Sequence, residues 1–291
     1  MNFFKKAWEM VSPLIVYGLI QYTVAAAAFF LWLYSKGNPG LGENPAEMLN
    51  QNVVLISGIS ALLSIPVLKH MLHKEWLKRP YVIQQNEPKA EKYMFVLIAS
   101  AGATVSVNLF INALGIFKYA TDYARAAREM YGEPLYMQIM VIGILMPVME
   151  ELIFRGLIYE RVSNFSGETS GILLTSVIFG IYHGNLLQGI YAFCFSLLMI
   201  YVYKRTGSFG ASICFHSASN LICLVLNRMA PLSTMGYSVG IVLSAMIGIY
   251  GLRELNRKPF FKVIPIDIEG EPENSGSGNV SSGEKTEKEW D

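Results

Sequence analysis

Three short stretches hold nearly all of the ionisable side chains that lie inside long apolar runs of this chain. They are Glu150-Glu151-Leu152-Ile153-Phe154-Arg155, Phe179-Gly180-Ile181-Tyr182-His183 and His216-Ser217-Ala218-Ser219-Asn220. On a helix, Glu151 and Arg155 are four apart and share a face, with the acid first, the favourable order for an ion pair. Glu150 is turned about 100° from Glu151, so the two carboxylates need not face the same thing. His216 and Asn220 also share a face, and two donors one turn apart can converge on a single oxygen. A carboxylate base, one or two histidines and an amide suit water activation and stabilisation of a tetrahedral oxyanion. Pro147, one turn before Glu150, removes a backbone hydrogen bond and opens the helix where a water must enter.

Elimination narrows the chemistry. Asp occurs only at Asp122, Asp267 and Asp291, outside every apolar run, so there is no intramembrane aspartyl pair. No His is followed by Glu, so the His-Glu-x-x-His zinc motif is absent. No Gly-x-Ser-Gly occurs, which disfavours a Ser/His dyad, and Ser217 and Ser219 read as small packing residues. Cys214 lies two positions before His216, on a different helix face, which disfavours a cysteine nucleophile.

The elements that must position these groups follow from the scarcity of charge. The chain has 291 residues, 53% hydrophobic and only 15% charged. Soluble domains carry roughly a quarter charged residues, so this surface faces lipid. A net charge of +1 recruits no nucleic acid, and three cysteines scattered in apolar runs exclude a disulfide scaffold or a Cys-rich zinc module. The expected fold is therefore an all-α polytopic membrane protein of about eight transmembrane helices, with both termini inside. The spans are Val11–Tyr34, Asn52–Leu68, Tyr93–Phe117, Pro134–Tyr159, Thr169–Leu187, Gly189–Tyr203, Phe209–Leu226 and Leu232–Leu252. The fifth and the shorter sixth form a hairpin about His183-Gly184-Asn185. Lys5 and Lys6 before an apolar run resemble a signal peptide, but Phe29 to Tyr34 carry that run past the alanines, so an uncleaved helix is expected. Of the 23 Lys and Arg residues, this topology puts 17 inside and five outside, with Arg155 in a span.

Four regions result. Residues 1–133 hold the N-terminal helices and a basic inner loop, residues 69–92, that reads as an interfacial anchor on anionic lipid. Residues 134–227 hold the helix core with all six polar residues, and 228–252 the last helix. Residues 253–291 form a cytoplasmic tail, disordered from about Glu269. Residues 119–131 suit a short interfacial helix, and Gly236, Gly240, Ser244 and Gly248 make a small-residue stripe for close helix packing.

Glu-Glu-x-x-x-Arg, Phe-x-x-x-His and His-x-x-x-Asn, in that order on successive membrane helices, resemble the CAAX-processing and bacteriocin-processing (CPBP, or Abi) family of intramembrane endopeptidases. That family includes the type II CAAX prenyl endopeptidases and lysostaphin-resistance-like proteins. Tyr182–Asn185, Tyr191-Ala192-Phe193 and Arg205-Thr206-Gly207-Ser208 also resemble bacterial members, and the resemblance spans residues 134–227. It implies a multi-pass cell-membrane hydrolase acting on a membrane-associated protein or peptide, with roles in maturation, bacteriocin processing or self-immunity. Glu150 would be the base that polarises a water held with His183, His216 and Asn220 the oxyanion donors, and Glu151 with Arg155 a supporting ion pair. Glu150, His183 and His216 would supply three zinc ligands with water as the fourth, while a metal-free site using Glu150 and His183 directly fits the same residues. The site is expected at moderate depth, opening toward the inner side. The alternative from another class is a proton-coupled transporter using the Glu/His cluster as a relay. The chain shows no internal repeat and no paired broken helices, which weighs against it. A catalytically silent immunity or interaction protein is a third option.

Overall fold

The computed structural model describes residues 2–36, 44–79, 81–86, 89–116 and 120–265. The tail beyond 265, including the segment expected to be disordered from Glu269, lies outside them. Ten helices and one small sheet make up the described chain. In order they are α1 (Phe3–Lys36), α2 (Pro45–Gln51), α3 (Val53–Trp76), β1 (Tyr81–Gln85), α4 (Lys89–Ala113), α5 (Thr121–Tyr131), α6 (Leu135–Ser166), α7 (Glu168–Tyr182), α8 (Leu186–Thr206), α9 (Phe209–Leu226), α10 (Thr234–Arg257) and β2 (Phe261–Pro265). Among the described residues seven helices are long and apolar enough to cross a membrane, and α7 is a shorter apolar helix. The chain is a multi-pass membrane protein with an all-α polytopic fold.

The expected fifth and sixth spans exchange lengths. Thr169–Leu187 was the longer in the sequence, yet α7 stops at Tyr182 after 15 residues, while α8 runs for 21. The turn chemistry explains this. Gly184 takes a positive φ of 73°, and Asn185 caps α8 by accepting from the Gln188 N–H at 3.0 Å. The hairpin itself is present, its helices touching where a Cβ on Gly180 would meet the Gly189 carbonyl at 2.8 Å. At 1.5 Å per residue α7 is about 22 Å long, short of a hydrocarbon core of roughly 30 Å.

Burial is graded by position in the bundle. Phe30 and Leu31 on α1 are exposed, as apolar side chains facing lipid must be, whereas Ile153, Phe154, Leu157 and Ile158 on α6 are fully buried. α6 is thus the central post, with Glu151 and Arg155 fully buried within it. The stripe on α10 packs against α4: a Cβ on Gly102 would come within 2.4 Å of the Gly248 Cα. Gly240 faces Leu109, and Gly251 extends the stripe to Ala99, while Gly236 faces Leu232 and Ser233 just before α10.

One end of the bundle is tied by ion pairs. Arg79 pairs with Glu160 at 2.7 Å and Arg161 with Glu75 at 3.1 Å. Lys204 pairs with Glu168 and Lys258 with Glu91 at the same end. Here the segment expected to be a plain interfacial loop contains β1, which pairs antiparallel with β2 in the register Tyr81↔Pro265 to Gln85↔Phe261. Alternation in Val82-Ile83-Gln84 was too short to announce a strand, and its partner lies beyond the last helix. α5 is amphipathic and lies at the opposite end.

α6 is not a uniform α-helix. Gln138–Leu145 and Leu152–Tyr159 are wound as π-helix, flanking the α-helical turn Met146–Glu151. In the first stretch the Met146 N–H donates to Val141, five residues back. The next bond in that register would reach Ile142, but residue 147 is proline and has no N–H. The Asn220 amide, from α9, donates to the Ile142 carbonyl at 2.9 Å and fills the gap. A buried carbonyl left unpaired costs about 1–3 kcal/mol. Asn220→Ala should therefore lower thermal stability in detergent by about that amount, and Pro147→Ala should recover part of the loss by restoring a backbone donor. Additive effects of the two substitutions would show that the two residues do not serve the same carbonyl.

Candidate active site

α6, α7 and α9 bring their polar residues together beside one cavity of about 680 Å³. Glu150, His183, His216 and Asn220 all line it. Glu151 and Arg155 lie behind them, both fully buried.

Glu151 is the most heavily bonded of the six. Its Oε1 accepts from Arg155 Nη1 at 2.9 Å and faces His216 Nδ1 at 2.8 Å, and its Oε2 accepts from the Ser212 hydroxyl at 2.6 Å. A carboxylate enclosed by protein needs such donors, since burial without them is prohibitive. The rotation between adjacent helical residues suggested that Glu150 and Glu151 need not face the same thing. In the fold both reach His216, from its two ring nitrogens: Glu150 Oε2 stands 3.6 Å from Nε2. That separation is a close charge contact rather than a hydrogen bond.

His183 ends α7, and its Nδ1 lies 2.7 Å from the Phe179 carbonyl. A carbonyl only accepts, so Nδ1 carries the proton, and in the neutral ring Nε2 keeps its lone pair. Phe179 does more than pack. Its ring sits 4.8 Å from His183 and 5.8 Å from His216 in edge-to-face geometry, and the Arg155 guanidinium carbon lies 4.5 Å over its centre. Phe154 in turn braces Phe179 at 4.8 Å and Tyr182 at 5.3 Å.

His216 and Asn220 do not spend their first hydrogen bonds on a common oxygen. Nδ1 of His216 is committed to Glu151 and one N–H of Asn220 to Ile142, which leaves His216 Nε2 and the second Asn220 N–H toward the cavity. The three residues named as zinc ligands share the cavity, but among the described residues no three His, Cys, Asp or Glu side chains come close enough to hold a metal ion. The donor set as arranged does not form a metal site.

Ser212 was missed in the sequence, although it precedes His216 by four and so extends the Ser212-His216-Asn220 face of α9. Ser219, read as packing, is bonded to Ser100 of α4 at 2.9 Å. Tyr17 was also missed. It is a buried residue of α1 whose hydroxyl lies 4.0 Å from Met146 Sδ. The direction of the cavity differs from expectation as well. Its upper walls come from α5, the start of α3 and the end of α9, with Tyr123, Tyr131, Val53 and Leu226 among the lining residues. It therefore runs toward the end opposite Lys204 and Arg205, not toward the basic end.

Residues 132–222 match the family described as type II CAAX prenyl endopeptidase Rce1-like. A protein of Bacillus subtilis strain 168 named "Putative membrane peptidase YdiL" is 25% identical over 232 residues, covering 76% of this chain and 89% of that protein. The "UPF0177 protein YxdF" of Lactococcus lactis subsp. lactis strain IL1403 is 29% identical over 89 residues, 30% of this chain and 49% of its own length. No solved structure matches the chain. The matched segment contains all six polar residues of the site, so the helix core of this chain is similar to the type II CAAX prenyl endopeptidases where the candidate site lies.

Proposed function

We propose that the protein is an intramembrane endopeptidase in which Glu150 activates water for attack on a peptide bond. The family match and the name of the Bacillus subtilis relative support a membrane peptidase in general. The observation that carries the finer reading is the pairing, across a single imidazole, of a carboxylate held only by a charge contact with one held by three hydrogen-bond donors. Glu151 is saturated by Arg155, Ser212 and His216, so it serves as a fixed anion. Glu150 lines the cavity with no such set of bonds and is the group available to take a proton.

In this reading a water sits between Glu150 and Nε2 of His183, whose lone pair is available because Nδ1 donates to Phe179. Glu150 removes a proton as the water oxygen adds to the carbonyl carbon. The second Asn220 N–H faces the oxygen that becomes negative, and His216, whose Nδ1–H donates to Glu151, adds an Nε2–H donor there in its imidazolium form. The proton on Glu150 then passes to the departing amine. This reading is metal-free, since the three candidate ligands do not form a metal-holding group among the described residues. A proton-coupled transporter has less support: behind the cavity Glu151 and Arg155 are held in a fixed ion pair and do not extend its lining as a relay.

Cleavage of a membrane-peptide library by the purified chain tests the assignment. Glu150→Gln and His183→Ala should each lower kcat by about 10²–10⁴-fold without unfolding the protein. Rates like wild type in both would sink the catalytic roles. Dialysis against a chelator should leave the rate unchanged, and a loss restored by zinc would overturn the metal-free form. Ser212→Ala removes a donor from a buried carboxylate, so stability should fall by about 1–3 kcal/mol. Its kcat should drop with KM unchanged, and Ser212→Thr should restore both.

A further inference from the structure

The two ends of the bundle differ in charge, and the cavity belongs to one of them. Of the 20 Lys and Arg residues among the described ones, fifteen lie at or near the end formed by β1, β2 and the start of α1. Four, Lys36, Arg125, Arg128 and Arg228, lie at the opposite end, and the last is Arg155. The sparse end also holds Glu47, Asp122, Glu129 and Glu133, so it carries no excess of positive charge. The basic end is closed by the Arg79–Glu160 and Arg161–Glu75 pairs and the β1–β2 ribbon. The cavity above Glu150 and His183 is walled at the sparse end by α5, with Asn112, Arg128 and Asn227 lining it there and Met130 and Tyr191 among its other walls.

Membrane proteins keep Lys and Arg in short loops on the cytoplasmic side. We infer that the cavity opens on the non-cytoplasmic face, and that the bond cut at Glu150 lies in a membrane-anchored peptide whose cleavage site is presented from that face. The statement about the bond rests on the peptidase reading; the statement about the face does not. Amides and one cation at the sparse end suit the carbonyls of an extended backbone, and the apolar walls suit uncharged side chains. A peptide tethered to the cytoplasmic leaflet would meet the closed, basic end instead.

Accessibility in cells decides the face. Full-length protein with Cys194, Cys214 and Cys223 changed to Ala receives one new cysteine, by Ala127→Cys or Met229→Cys at the cavity end, or by Arg205→Cys or Lys262→Cys at the basic end. A membrane-impermeant maleimide on intact bacterial cells should label the first two, with loss of labelling for the second two until the cells are opened. The reverse pattern, labelling of all four, or labelling of none in intact cells overturns the proposal; a denatured sample, in which all four react, sets the scale. Where the cysteine-free chain fails to accumulate in membranes, fusions of a phosphatase active only outside the cytoplasm replace it. Activity is expected after residue 230 and its loss after residue 265, and the opposite result overturns the proposal. Neither measurement needs cleavage by the protein, so wild-type rates in Glu150→Gln would remove the assigned bond and leave the face decided.

Discussion

The site depends on one buried anion. Glu151 sits at zero exposure in a bundle whose exterior is hydrocarbon-like, and such a charge persists only when its lone pairs are filled. Three donors from two helices fill them: Arg155 one turn along α6, and Ser212 and His216 one turn apart on α9. The same bonds that make Glu151 tolerable dock α9 against α6 in a single register. Removing one partner from a buried pair costs about 3–5 kcal/mol, far more than a surface pair contributes, so the arrangement has little freedom to relax. His216 inherits this rigidity, because its Nδ1 is one of the three donors. Its Nε2 is thereby held beside Glu150, and the geometry of the proposed chemistry follows from the need to satisfy a neighbour.

Backbone accounting supplies the second constraint. Within lipid no water completes the bonds that a widened or proline-interrupted helix leaves open. α6 contains both defects in succession, a π stretch and Pro147, immediately before Glu150. Asn220 answers one of them by donating to Ile142. An amide first seen as an oxyanion donor thus has a structural bond as well, and the two uses are compatible because the amide has two N–H groups. π-helical segments occur often at functional sites. Here the one before Glu150 leaves a carbonyl that only a side chain from α9 reaches, which is a second tie between the same two helices.

Much of this was legible in the sequence because membrane helices advertise their exceptions. In a chain only 15% charged, Glu150, Glu151, Arg155, His183 and His216 stand out without any structure, and the helical repeat places Glu151 beside Arg155. Periodicity says nothing about which residue on another helix a side chain will meet. It therefore could not show that Glu150 and Glu151 share His216, or that Asn220 answers Pro147. The hairpin lengths were misjudged for a different reason: the apolar Leu186 and Leu187 were counted with the helix before the turn, while the boundary is set by Gly184 and the Asn185 cap. The β1–β2 ribbon escaped because its strands are five residues long and 180 positions apart in Tyr81 and Phe261, beyond any local pattern.

The shortness of α7 connects these points. It starts at the end where Glu168 pairs with Lys204 and extends about 22 Å, so its tip stops inside a core of roughly 30 Å. A full-length helix there would fill the space that the cavity occupies. By ending early, α7 presents His183 at the floor of that space rather than at a membrane surface, and Gly184 with Asn185 turns the chain back without leaving the helix ends uncapped. α5 lies across the resulting opening and contributes Tyr123 and Tyr131 to its walls. The cavity extends toward that end, while the opposite end is tied by ion pairs and a β-ribbon. The same asymmetry that ties the helices together at the basic end leaves Glu150, His183 and His216 lining a cavity that runs toward the other.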